Sequence, residues 1–229
     1  MEEKGLIGRL FYFFEKVMRI AQFQLLWVLF TLCGGVILGI MPSTVSLFTV
    51  IRKWLMGNTE DQSYFKLYWT TFRKEFWKAN FLGVVLTLVS LLIYLNISFM
   101  PFIPGIAYWF SLVFVLMLSI LFFILLLYIF PIYVHLDLKF SRYFSVALLI
   151  GISSPFHTLS IAAGYFSTYL LLKMIPGFIP FLSIGLFALV SMWVSLRVFK
   201  RMEHKEGSGP SKVEKALLKS SNPQQLREV

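Results

Sequence analysis

The chain has 229 residues, of which 58% are hydrophobic and 14% charged, with a formal net charge of +10. A soluble domain of this size needs no such apolar excess, so lipid is part of the solvent. The basic residues sit at the ends of apolar runs, where they suit anionic lipid head groups rather than nucleic acid, and the single cysteine excludes an internal disulfide or a cysteine-based metal cluster.

Residues 6–19 open the chain with apolar Leu6, Leu10, Phe14 and Val17 set against polar Arg9, Glu15, Lys16 and Arg19. This two-faced pattern predicts an amphipathic helix lying at the membrane interface. No small-residue cleavage site follows the first apolar run, so a cleaved signal peptide is not expected. Residues 20–51 then contain no Asp, Glu, Lys or Arg. Pro42 and Ser43 suit the start of a helix, which predicts spans near 20–40 and 42–56 with a turn between them. Gly35 and Gly39 allow close helix approach. Cys33, inside this run, reads as a small buried hydrophobe.

A charged segment follows. Residues 63–78 place Phe65, Tyr68, Trp69, Phe72 and Phe76 on one side and Lys66, Thr70, Arg73 and Lys74 on the other, a second interfacial helix. Residues 79–136 are again free of the four charged types, and Pro101 to Gly105 divide them into spans near 79–100 and 105–136. The second exceeds what a bilayer requires, so it is expected to tilt or to bend near Pro131. Asp137, Lys139 and Arg142 mark a polar loop before spans near 143–172 and 174–196. Residues 1–203 thus read as one integral membrane domain, and 204–229 as a polar, mostly disordered tail. Of 21 Lys and Arg residues, all but Lys173 fall in four clusters: before Ile20, at 52–78, at 137–142 and from Arg197 onward. Six spans put all four on one side. The expected fold is therefore an all-α polytopic helical bundle in the cell membrane, with both termini cytoplasmic.

Pro42-Ser43-Thr44, Ile51-Arg52-Lys53-Trp54-Leu55 and the run from Phe72 to Asn80 resemble the hallmark segment of the YesL family, small bacterial integral membrane proteins of unassigned activity. The family pattern has Pro-Ala-Thr where this chain has Pro42-Ser43-Thr44. The resemblance implies a setting beside sugar-uptake transporters and polysaccharide-degrading enzymes, hence a link to carbohydrate utilisation. It implies no mechanism.

Two groups of residues are candidates for function. Arg52, Lys53 and Trp54, with Phe72, Arg73, Glu75, Trp77 and Lys78, form either an interface anchor or a docking patch for a partner, and Glu75 can pair within its helix or with Arg52. His157, with Ser153, Ser154, Pro155 and Thr158, is read as a polar site at mid-span, either a proline kink with a bonded neutral histidine or part of a solute path. There is no phosphate loop, and His135, His157 and His204 are dispersed. A non-enzymatic protein without cofactor or metal is expected, with membrane lipids and sugar transporter permease subunits as partners. The alternative is a small transporter or channel.

Overall fold

The computed structural model describes residues 6–57 and 63–206. Its elements are all helical: α1 (Leu6–Cys33), α2 (Ile37–Leu55), α3 (Tyr64–Phe99), α4 (Ile106–His135), α5 (Phe140–Ser153), α6 (Pro155–Met174) and α7 (Ile179–Glu206), with single 3-10 turns at Met100–Phe102 and Pro176–Phe178. The protein is an all-α membrane helical bundle. Four helices, α1, α3, α4 and α7, are long and apolar enough to cross a membrane, or five spans if α5 and α6 count as one.

The two amphipathic segments are not separate surface helices. Residues 6–19 run without a break into α1, and 63–78 into α3. Neither Pro nor Gly occurs between Arg9 and Cys33, or between Ser63 and Leu82, so a change of polarity is not a change of helix. α3, with 36 residues, is about 54 Å long, against a hydrocarbon core of about 30 Å. Its charged first fifteen residues supply the excess.

The first hairpin also turns earlier than expected. The turn is Gly34-Gly35-Val36, with φ of 77° at Gly35 and 59° at Val36, and Ile37 N–H donates to the Gly35 carbonyl at 2.8 Å. This is a strained γ-turn, and a β-branched residue at its centre pays for a sharp reversal. Pro42 lies inside α2 instead of starting it. Gly39 packs against the Thr31 carbonyl of α1, where an added Cβ would collide. Gly35 contributes to the turn, so the two glycines do not form a stripe on one helix. Cys33 is exposed, not buried.

α2 is the centre of the bundle and packs against α1, α3, α4 and α7. Nine of its nineteen residues are buried. Enclosed by protein, it tolerates Ser43, Ser46 and Thr49, two of which return their hydroxyls to carbonyls one turn back (Ser46 to Pro42, Thr49 to Val45, both 2.8 Å). Tyr68 of α3 donates to the Ser43 carbonyl at 2.6 Å. The aromatic face of early α3 meets α1. Phe30 lies 4.8 Å from the Tyr68 ring and 5.3 Å from that of Phe72. Lipid is as apolar as phenylalanine, so close packing and ring geometry favour this contact more than exclusion of water does.

The last elements depart most from the sequence reading. The fifth span is two helices meeting at 96°. α7 begins after Pro176 and continues beyond residue 196 to Glu206. It bridges distant parts of the bundle: Gly185 N–H donates to Gln24 Oε1 at 2.8 Å, whereas Phe199 stacks on His135. Of the expected tail, residues 204–206 continue α7, and 207–229 lie outside the described residues, as do positions 58–62.

Gly39→Ala is expected to lower the melting temperature of the detergent-purified protein, because overpacking costs about 1–3 kcal/mol. Gly177→Ala, whose Cβ meets open space, is expected to leave it unchanged.

Candidate functional site

A cleft of about 620 Å³ opens where α2, α3, α4 and α5 meet. Val45, Thr49 and Arg52 face it at one- and two-turn spacing along α2. Thr71, Lys74, Glu75 and Lys78 face it from α3 at positions i, i+3, i+4 and i+7. The third wall is the end of α4, from Tyr133 to Leu138, with Phe140 and Tyr143 beyond.

The last turn of α4 holds these walls together. Its final carbonyls have no partner within the helix. Arg52 Nη1 donates to the Val134 carbonyl at 2.8 Å, which sets a cation at the negative end of the helix. Tyr133 donates its hydroxyl to Glu75 Oε2 at 2.8 Å. Tyr143 Oη donates to the Leu136 carbonyl at 3.3 Å and accepts from Leu138 N–H at 3.1 Å, fixing the loop before α5. The His135 ring lies 4.4 Å from that of Phe199, nearly parallel to it. One helix end thus ties α2, α3, α5 and α7. Among the described residues no group of three or more His, Cys, Asp or Glu could hold a metal ion.

The docking patch read from sequence divides. Arg52, Glu75 and Lys78 line the cleft. Trp54 meets the ring of Phe23 at 5.9 Å, and Phe72 is buried against Phe30 and Phe76, so both belong to the core. Arg73 lies over the Trp69 ring at 5.5 Å, exposed and outside the cleft. Trp77 is 79% exposed, and Lys53 is half-buried outside the cleft wall. Arg52 and Glu75 are bound to adjacent residues of α4, not to each other. Sequence reading missed Tyr133, Tyr143 and Lys74. The available signal was the polar run Tyr133-x-His135-x-Asp137 closing an otherwise apolar segment.

The polar residues around His157 form a bend rather than the middle of a straight span. Pro155 has no N–H to give the Gly151 carbonyl, and proline disfavours helical backbone at the residue before it. Ser154 takes φ −127° and ψ 62°. Thr158 Oγ1 lies 2.9 Å from the Gly151 carbonyl and 3.2 Å from that of Ser154, and 3.0 Å from Tyr128 Oη. Its hydroxyl thus takes the place of the missing N–H. Gly151 lets Ile124 and Tyr128 of α4 approach the backbone. His157, half-buried in the first turn of α6, shares a smaller pocket of about 320 Å³ with Ser153, Ser154, Pro155 and Arg201.

Fold and cleft define a small multi-pass membrane protein with a charged pocket at the meeting point of its helix ends. Residues 20–97 match the family described as "Protein of unknown function, DUF624". The chain is similar to three uncharacterized proteins of Bacillus subtilis (strain 168). It is 35% identical to YteU over 90% of this chain and 92% of that one. To YesV it is 38% identical, covering 82% and 90%. To YesL it is 32% identical, covering 83% and 89%. The chain belongs to this YesL-like family. No solved structure matches it.

Tyr133→Phe and Glu75→Gln should each destabilise the protein by about 1–2 kcal/mol. The double variant should lose less than the sum of the two, read from melting temperatures in detergent. Additive losses would mean that the pair is not coupled.

Proposed function

We propose that the protein is a non-enzymatic accessory or assembly partner of a bacterial carbohydrate uptake system, docking permease subunits beside the cleft. The supporting observation is the rim: Arg73 on Trp69, with exposed Lys74, Lys78 and Trp77, presents cations and large aromatics together. Arginine and tryptophan are enriched at the centres of protein interfaces, and lysines at the polar rim add charge that steers an acidic partner. The family resemblance, most specific across residues 42–82, implies a setting beside sugar-uptake systems, and this supports the choice of partner. Full-length tagged protein from native membranes grown on an inducing sugar is expected to retain permease subunits in mild detergent. Arg73→Glu with Lys78→Glu is expected to release them. Recovery of the wild-type protein alone would sink the reading.

A second reading is favoured by the bend. Discontinuous helices are found at the solute sites of transporters, and the 96° break places serines and His157 beside Arg201. It requires solute flux in proteoliposomes of the pure protein, lost on His157→Ala.

In this proposal the cleft and both termini face the cytoplasm, and α2 is the sixth crossing. The cations at 52–78 and 137–142 support that side by the positive-inside rule. Single cysteines in a Cys33→Ser background test it with a membrane-impermeant thiol reagent on intact cells. Gly57→Cys and Lys139→Cys should stay unlabelled, and Gly105→Cys and Ile37→Cys should label. Protection of Ile37→Cys would make α1 and α2 a re-entrant hairpin, and labelling of Gly57→Cys would reverse the orientation.

A further inference from the structure

We propose that the cleft binds the phosphoryl group of an anionic ligand, held by Arg52 from α2 and by Lys74 and Lys78 from the facing wall of α3. This goes beyond the docking role and does not depend on it.

Arg52 is only partly engaged by the protein. Its Nη1 is engaged by the Val134 carbonyl. Its Nε is buried and has no hydrogen-bond partner among the described residues. A guanidinium desolvated beside a carbonyl alone is incompletely compensated, and a buried donor without a partner costs about 1–3 kcal/mol. Arg52 lines the cleft, and a guanidinium can receive two oxygens of an oxyanion side by side.

The other charged and titratable groups lining the cleft come from each wall. α3 brings Lys74, Lys78 and Glu75, and the end of α4 brings His135 and Asp137. Glu75 already receives the Tyr133 hydroxyl, and Asp137 is exposed at the rim. Three fixed cations thus stand against two carboxylates. A carboxylate ligand has two oxygens, which Arg52 alone would occupy. A phosphoryl group has further oxygens for the two lysines opposite, which act as point charges.

The phosphoryl group could belong to a soluble phosphomonoester or to an anionic lipid head group, since the cleft lies near the charged boundary of the apolar segments. The test uses full-length protein in nanodiscs. In phosphatidylcholine discs, inorganic phosphate should raise the melting temperature. In discs containing phosphatidic acid, native mass spectrometry should show retained lipid. A response to phosphate identifies a soluble ligand, and retention of phosphatidic acid without a response to phosphate identifies a lipid. Either supports the site if Arg52→Gln and the pair Lys74→Gln with Lys78→Gln weaken it at least about tenfold while Lys173→Gln does not. The lysine pair is exposed, so it keeps the test valid if Arg52→Gln fails to fold. Absence of both responses, or equal weakening by Lys173→Gln, would overturn the proposal.

Discussion

The bundle depends on α2 being enclosed by four other helices. In lipid no large hydrophobic gain drives helices together, so association rests on close contact and on satisfied polar groups. α2 has both. Gly39 brings its backbone against α1 at Thr31, and Met41 fills the space that Gly83 leaves on α3. Tyr68 reaches the Ser43 carbonyl. Enclosure explains why α2 can be short and rich in hydroxyls while α4, exposed along much of its length, is almost wholly apolar.

The same enclosure brings Arg52 into the protein instead of leaving it at a lipid boundary. A cation near the end of a span ordinarily extends towards water and head groups. Here it turns to the end of α4, where unsatisfied carbonyls make a negative pole. Tyr133 and Glu75 bind the neighbouring turn of α3 to the same place. The charged groups of the cleft are therefore structural ties and an open polar surface at once.

At Ser154 the chain changes direction by local chemistry. Pro155 removes one hydrogen bond, and Thr158 replaces it with a hydroxyl in contact with Tyr128 of α4. The polar residues that look like a mid-membrane site are in large part those that complete a bend. His157 and Arg201 are brought near each other only because α6 folds back along α7.

The solvent, the helical class and the family were legible from composition and motif alone. Long runs without charge permit little but membrane helices, because a backbone in lipid has to satisfy its own hydrogen bonds. Breaks at Pro101–Gly105 and at Asp137–Lys139 were legible too, since proline, glycine and charge act locally. Helix continuity through residues 6–33 and 64–99 was obscured because polarity changes along a helix that has no breaker. The turn at Gly34–Val36, the 96° bend and the division of the docking patch were decided by tertiary structure. Trp54 and Phe72 resemble their interfacial neighbours in sequence, but only the packing of α1 makes them core. Arg52 and Tyr133 are 81 residues apart in the numbering, and nothing local tells either that it will share the end of α4.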